Sequence, residues 1–424
     1  MCDTLYAGPG ACAGGSSWFA KNSDRNPDEP QALCLVGRRP PTAETLVGGR
    51  SLPLPDRGYS FLLSKPSWMA GGEMGVNERG VAIGNEAVFS RFPAAKDGVL
   101  GMDILRAALV SSGSAAEARD AICDLTERVD QGGNGAYKGT LRYCNSYLAS
   151  DPAEAFVVET AGHRWAWRKI EGIASISNAY SIGTDYKRLD AQTRKEIAPV
   201  NPELSCADAT DAGRCGVRGS WRAHVEDSLR LRFTKGDARR ATVEGALEAS
   251  LGGIDLATIL AALRSHGAFD PARPRGKHMT SVCMHAGGLL NNATTASIAL
   301  AYRPASERGP GAVVWFTGTS YPCLSVYKPI LLVGGEFVPL WTEYDYREDA
   351  TGGYGHWERQ RAWIAREKAG ALGRDHDFVA RRDSMQDRIE AAAAAAIDGG
   401  SLEEARRAVD AAIRDWYGGL KGRS

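Results

Sequence analysis

Hydrophobic and polar residues alternate over several short stretches of the chain, which predicts paired β-strands. The first pair covers residues 3–10 and 15–22, joined by a glycine-rich turn that returns the chain toward its N-terminus. The same alternation predicts strands at 72–77, 80–85, 146–150, 155–159, 164–170, 172–177, 295–302 and 312–317. A sheet-rich core is therefore expected.

Segments in which apolar residues have helical spacing lie between groups of these strands. This spacing runs through 101–129, where Ser114 followed by Glu117 predicts the cap of a second helix. It also dominates 221–266, where Asp255 is the expected cap, and the charged, alanine-rich region from about 355 onward. Strand pairs alternating with helix pairs predict an α+β layered domain.

The composition excludes some classes of binding partner. The 424 residues are enough for one large domain, and 51 basic residues balance 51 acidic ones. No global field favours nucleic acid or a membrane surface, and no apolar run reaches transmembrane length. The N-terminus has neither the basic nor the hydrophobic region of a signal peptide, so we expect a cytoplasmic protein.

The nine cysteines are odd in number and follow no repeated short spacing. In a cytoplasmic chain they should be reduced, although Cys206 and Cys215 could bridge in an oxidising setting. Cys283 and His285 put two soft ligands on one strand face, but no second pair at a useful distance completes a zinc set. No phosphate loop or dinucleotide motif is present either. We therefore expect neither a metal nor a cofactor.

Cys2 is the strongest candidate for chemistry. Once Met1 is removed, the thiol and a free α-amine belong to the same residue. An α-amine with a pKa near 8 can act as base toward a thiol with a pKa near 8.5. The nucleophile then carries its own general base, as in N-terminal-nucleophile enzymes.

Sequence blocks around and beyond Cys2 resemble the secernin-like dipeptidase family of N-terminal-nucleophile hydrolases, which also include bile salt hydrolase and penicillin V acylase. The resemblance rests on the segments 2–5, 19–27, 72–78, 80–86, 145–148, 159–162, 175–178 and 316–325, which keep their order along the chain. It implies a four-layer αββα sandwich over residues 2–335, with the nucleophile opening a central strand, and a helical extension over 336–424.

The resemblance also implies the catalytic residues. Asp24, in Asn-Ser-Asp-Arg, matches the family aspartate beside the cysteine and would orient the thiol and amine. Asn178 and Asn85 match positions where the superfamily places side-chain donors to the oxyanion. Each of these three residues could instead close a turn.

Substrate binding is assigned to basic residues. Lys21 stands where related hydrolases carry an arginine, and Arg25 follows Asp24 directly. Arg222 is the candidate for a distal arginine, with Arg218 and Arg230 as rivals, and Asn134 could face substrate or simply close a turn.

Together these residues predict a cysteine dipeptidase that cleaves small peptides through an acyl-enzyme. A homo-oligomer is compatible with these features. Transfer of the acyl group to an amine, or a non-catalytic regulatory role, are the alternatives.

Overall fold

The computed structural model describes residues 1–40, 45–47, 50–52, 57–197, 219–267, 278–286, 291–304, 309, 311–348, 352–366 and 376–421. Within them, the strands form two large antiparallel sheets and one short ribbon, β4 (Thr45–Val47) with β5 (Arg50–Leu52). The candidate bridge between Cys206 and Cys215 lies outside the described residues.

The first sheet has seven strands and contains the N-terminus of the chain. Its spatial order is β12 (Ile173–Ile176), β1 (Cys2–Ala7), β2 (Ser17–Arg25), β14 (Ala293–Tyr302), β15 (Ala312–Phe316), β16 (Lys328–Val333) and β17 (Glu336–Pro339). Strand β1 is hydrogen-bonded on both sides, so Cys2 begins an interior strand of the sheet.

The second sheet has eight strands. Its order is β13 (Arg188–Leu189), β11 (Arg164–Lys169), β10 (Ala155–Ala161), β9 (Cys144–Ser150), β8 (Ala82–Val88), β7 (Met74–Asn77), β6 (Phe61–Pro66) and β3 (Gln31–Val36). Strand β3 was not predicted because residues 32–36 form a continuous apolar run without alternation.

The two sheets pack face to face, with β1 against β8, and each sheet is covered by a pair of helices. Helices α1 (Gly101–Ser111) and α2 (Ala115–Arg128) cover the second sheet. After α3 (Ala191–Ile197), α4 (Trp221–Val225) and α5 (Ser228–Thr234), helices α6 (Gly236–Glu248) and α7 (Leu256–Leu263) cover the first. The predicted αββα sandwich is confirmed.

Local signals placed the helix starts correctly. The Ser114 side chain accepts a hydrogen bond of 3.2 Å from the Glu117 backbone N–H, and Asp255 accepts one of 2.9 Å from Thr258. The first hairpin is shorter than predicted, because residues 9–15 form two 3₁₀ turns in which Gly14 has a φ of +64°. Glycine adopts this left-handed conformation without steric cost.

The C-terminal region folds into α8 (Gly352–Arg366), α9 (His376–Ile397) and α10 (Leu402–Lys421). They contact the sandwich directly: the Trp357 indole N–H donates to Thr295 O at 2.9 Å, and the Tyr327 backbone N–H donates to Gln386 at 2.7 Å. The domain boundary at residue 335 stays a prediction; β17, which follows it, pairs with β16 in the first sheet. Among the described helices, none combines the length and the apolar character needed to span a bilayer.

Candidate active site

Cys2 lies at the start of β1, where it pairs with Ser23 of β2 and is only 4% exposed. Its backbone N–H donates to Asn178 Oδ1 at 2.8 Å. Met1 continues along β2: its amine donates to Asp24 O at 2.7 Å, and the Asp24 N–H donates to Met1 O at 2.7 Å. The Cys2 nitrogen, here an amide, is therefore already held in a defined position beside Asp24.

The thiol of Cys2 faces a buried carboxylate. Its Sγ lies 3.7 Å from Glu73 Oε2, and Glu73 in turn pairs with Arg25 at 3.1 Å. Burial raises the pKa of the Cys2 thiol above its ordinary value, although the nearby Lys21 charge opposes this shift. The thiol is therefore neutral near pH 7 and needs a base before it can attack.

Lys21 lies between the two sheets, behind the thiol rather than on a cavity wall. Its Nζ donates to Asn85 O at 2.8 Å and to Glu86 Oε1 at 3.2 Å. Burial on its own would lower the pKa of Lys21, but Cys2 and Glu86 hold this pKa above its usual range. Glycine at position 84 leaves space for the Lys21 side chain, because a Cβ there would lie 2.8 Å from the Lys21 Cδ. The structure thus places a buried cation close to the thiol.

Asp24 is the last but one residue of β2 and is fully buried. Its Oδ1 accepts a hydrogen bond of 2.6 Å from Thr294 Oγ1, and its Oδ2 has no hydrogen-bond partner among the described residues. Burial raises the pKa of Asp24 to about 7. A buried acceptor without a donor is costly. The Oδ2 of Asp24 is therefore in a position to accept a hydrogen bond from a group that enters or forms at the site.

Asn178 follows β12 and is held on both sides of its carboxamide. Its Oδ1 accepts from Cys2 and, at 2.6 Å, from Arg239, while its Nδ2 donates to Ala87 O at 2.8 Å. These partners fix which end of the amide is oxygen. One N–H of Asn178 therefore remains for a further acceptor.

Arg239, from α6, is fully buried and was not anticipated from the sequence. Its Nε donates to both oxygens of Asp3, at 3.0 and 2.9 Å. Besides Asn178 Oδ1, its other donors reach Ser177 Oγ, Thr234 O, Met279 O and, at 3.9 Å, Met1 Sδ. Arg239 thereby fixes Asn178 from behind.

Asn85, in β8, lies across the cavity from the first sheet. Its Nδ2 donates to Asn145 Oδ1 at 2.8 Å, and Asn145 donates onward to Gln131. The Asn85 Oδ1 has no partner among the described residues. The second N–H of Nδ2 points to Met102 Sδ at 3.5 Å, so both amide hydrogens have partners. The carboxamide is at the site, but donation to an oxyanion requires it to turn.

These residues meet at a cavity of about 900 Å³ that is open to solvent. Its lining includes Cys2, Asp24, Asn85 and Asn178, and also Arg25, whose guanidinium pairs with Glu29 at 2.7 Å. The other walls are mainly apolar and include Phe89, Tyr137, Leu141, Tyr143 and Phe233. The volume is within the range of small-molecule binding sites.

Two other sequence candidates, Arg222 and Asn134, are not among the residues that line this cavity. Arg222 pairs with Asp237 at 2.7 Å and with Glu226 at 2.6 Å, away from the lining residues. Arg218 lies outside the described residues, whereas Arg230 is part of the lining. Asn134 accepts bonds from two backbone N–H groups of its own loop and so closes a turn.

Glu73 and Arg239 were missed for different reasons. Glu73 falls within the block 72–78 that carried the family resemblance, so that block could have drawn attention to it. Arg239 stands in an unremarkable helical segment far along the chain from Cys2. Only the packing of α6 on the first sheet brings it to Asn178.

A second set of reactive side chains lies elsewhere in the fold. His266 and Cys323 join Cys283 and His285, with the ligand atoms of all four within 4.8 Å of one another. The sequence interpretation that no second pair of ligands completes the set is therefore wrong, because folding supplies that pair from two distant segments.

No protein-family model matches the chain. Among solved structures, the chain is similar to a mutant of conjugated bile acid hydrolase from Clostridium perfringens, with 14% identity and a TM-score of 0.45 over 82% of this chain and 98% of that one. A further variant of that hydrolase gives 12% identity and a TM-score of 0.44 over the same shares. At these values the similarity identifies neither a family nor an activity for this chain.

Replacing Arg239 tests the anchor of the site. Arg239→Met leaves the buried Asp3 without its cation, so we expect the free energy of unfolding to fall by about 3–5 kcal/mol. The free energy of unfolding of Arg239→Lys should lie between those of the wild type and Arg239→Met, because lysine keeps the charge and loses the planar guanidinium group. Urea unfolding measures both.

The control is Arg240→Met. Arg240 is the next residue, is partly exposed and pairs with Asp237 at 3.3 Å, so its loss should cost about 0.5 kcal/mol or less. Equal unfolding midpoints for the Arg239→Met and Arg240→Met proteins would contradict the role given to Arg239.

Proposed function

We propose that this chain is a cysteine amidohydrolase of the N-terminal-nucleophile superfamily that hydrolyses small linear peptides. The observation that carries the proposal is the position of Cys2. Its thiol lines the cavity, and its backbone nitrogen is hydrogen-bonded to Asn178 and lies beside Asp24, one oxygen of which receives no hydrogen bond from the part of the chain that the structure describes.

Activation begins with cleavage of the bond before Cys2. The cleavage converts the Cys2 amide nitrogen, which is not basic, into an α-amine that can accept the thiol proton. Asn178 Oδ1 already accepts a hydrogen bond from this nitrogen, and Asp24 Oδ2 is available to accept a second one. Two fixed acceptors hold the resulting ammonium next to the sulfur.

The thiolate then attacks the carbonyl carbon of the substrate amide. The negative charge passes to the carbonyl oxygen, where the remaining N–H of Asn178 and the turned carboxamide of Asn85 donate to it. The Cys2 ammonium gives its proton to the leaving nitrogen as the C–N bond breaks, which leaves a thioester on Cys2. Water, deprotonated by the same amine, attacks the thioester and restores the thiol.

Charged groups around the cavity support a peptide as substrate. Arg142 and Arg230 lie on the lining and suit the carboxylate of a short peptide, and Glu73 suits its ammonium group. Arg25, paired with Glu29 at 2.7 Å and with Glu73 at 3.1 Å, holds these side chains in place. We assign Lys21 to the electrostatics of the thiol rather than to substrate contact.

The size of the cavity favours a second candidate. About 900 Å³ with mainly apolar walls exceeds the needs of a dipeptide and suits an amide with a bulky apolar acyl group. The same thioester could also pass its acyl group to an amine instead of water. Both of these alternative activities use the same catalytic residues. They differ in the molecule that enters the cavity.

Replacement of the nucleophile should abolish turnover. We expect Cys2→Ala to lower kcat/KM by about 10⁴-fold or more, because no other group can form the thioester. Cys123→Ala, at a buried free cysteine on α2, should retain wild-type activity. Initial rates on Met1-free proteins provide the comparison, and a Cys2→Ala protein as active as the Cys123→Ala protein would refute the mechanism.

A substrate panel separates the candidate functions. Dipeptides, N-acyl amino acids with long apolar chains, and each of these with added hydroxylamine should be assayed in parallel. We expect the highest kcat/KM on dipeptides, with no hydroxamate product. Preference for long acyl chains would replace the peptide assignment, hydroxamate in excess of free acid would indicate acyl transfer, and no turnover with an unreactive Cys2 would favour a non-catalytic protein.

The pH dependence of the rate should report on Asp24. The carboxyl group must be ionised to hold the ammonium, so activity should fall as the pH drops below the pKa of Asp24. Thr294→Val removes a hydrogen bond that favours the ionised form, which raises this pKa and moves the acid limb of the rate profile to higher pH.

The matched control is Thr295→Val, because Thr295 is equally buried and donates to Ser23 O instead. Its acid limb should coincide with that of the wild type. If the acid limbs of the pH–rate profiles of Thr294→Val and Thr295→Val coincide, Asp24 is not the group whose ionisation limits the rate.

A further inference from the structure

The four residues His266, Cys283, His285 and Cys323, called here the cysteine–histidine cluster, come from three separate parts of the chain. His266 follows α7, Cys283 and His285 precede β14, and Cys323 lies in a 3₁₀ turn after β15. None of them lines the cavity that holds Cys2. The cluster is therefore separate from the proposed catalytic centre.

The ligand atoms of the cluster lie about as close together as the corners of a tetrahedron around a metal ion; two of the three distances from His285 agree with its edges, and the distance to Cys323 is shorter. His266 Nε2 lies 3.2 Å from His285 Nε2, which is in turn 3.7 Å from Cys283 Sγ and 3.1 Å from Cys323 Sγ. Zinc bonds of about 2.0–2.1 Å to nitrogen and about 2.3 Å to sulfur give edges of about 3.3 Å between nitrogens and about 3.6 Å between nitrogen and sulfur.

Hydrogen bonding alone does not account for this convergence. A neutral imidazole nitrogen carries either one N–H or one lone pair, so it has one in-plane partner. His285 Nε2 has three neighbours within 3.7 Å. A shared cation among the four atoms would use every lone pair at once.

The surroundings keep the cluster closed and fixed. Cys283, His285 and Cys323 are buried, and His266 is half-buried. The ring of His285 stacks on Tyr321 at 4.3 Å, and Arg382 from α9 donates to Cys323 O at 2.6 Å. Tyr321 itself has a φ of +58°, a left-handed conformation that directs the turn carrying Cys323 toward the other ligands.

We propose that the cysteine–histidine cluster binds one Zn²⁺ ion as a closed structural site. Two thiolates and two imidazoles in a tetrahedral set are the ligands that zinc prefers, and four protein ligands leave no open position for substrate. The site does not depend on the proposed amidohydrolase activity.

The site would also stabilise the geometry around Asp24. Met284, between two of the ligands, donates its backbone N–H to Thr294 Oγ1 at 2.8 Å, and Thr294 donates to Asp24 Oδ1. A metal ion that fixes residues 283–285 therefore fixes the hydrogen bond that positions the carboxylate. This role is structural, because the Met284 backbone and the Thr294 side chain stand between the cluster and Asp24.

The test is the metal content of the full chain, purified under reducing conditions without added metal or chelator. We expect about one equivalent of zinc per chain, and after exchange with Co²⁺ an absorption spectrum with tetrahedral ligand-field bands and thiolate charge-transfer bands. The double variant Cys283→Ser/Cys323→Ser should lose both signals.

The double variant Cys34→Ser/Cys123→Ser, at two buried cysteines outside the cluster, is the control and should keep both signals. The cobalt spectrum of the wild type makes the test independent of whether the first double variant folds. A wild-type chain that neither carries zinc nor gives thiolate bands with Co²⁺ would overturn the proposal. So would a Cys283–Cys323 disulfide in the reduced preparation, or zinc retained in Cys283→Ser/Cys323→Ser.

Discussion

The buried guanidinium of Arg239 holds together the end of the first sheet where Cys2 lies. Asp3, directly after the proposed nucleophile, is buried, and a buried carboxylate needs a cation beside it. Arg239 supplies that cation, and its remaining donors fix Ser177 and Asn178 after β12. Because Asn178 in turn holds the Cys2 nitrogen, a salt bridge between α6 and β1 determines where the attacking group stands.

Other buried charges follow the same logic. Lys21 is inserted between the sheets against Glu86, and Arg25 bridges Glu29 and Glu73 on the cavity side. Each pair costs desolvation energy that a purely apolar core would avoid. These charges surround the Cys2 thiol, whose pKa is raised by burial, and such a concentration of buried charge is consistent with the proposed site.

The sequence predicted those features that depend on local order. Alternation predicted β1, β2 and, in the second sheet, β7 to β11, but not β3, β6 or β13. The caps at Ser114 and Asp255 follow from short-range hydrogen bonds. Cys2, Asp24, Asn85 and Asn178 were found through motif resemblance, and the structure brings them to one cavity. The structure does not bring Arg222 to the cavity, and Arg239 was not anticipated from the sequence. Only tertiary packing decides which arginine of the 221–266 region reaches β1. The cysteine–histidine cluster was missed for the same reason, since its ligands have no common spacing along the chain.

The central claim is that Cys2 reacts only when it is the first residue, and intact-mass analysis tests it most directly. Two forms of the chain, one starting at Cys2 and one with Met1 retained, should be treated briefly with an electrophilic dipeptide analogue and weighed. We expect one adduct, on Cys2, in the Met1-free form alone, together with loss of its peptide hydrolysis. Equal labelling of both forms, or peptide hydrolysis by the form that keeps Met1, would contradict it.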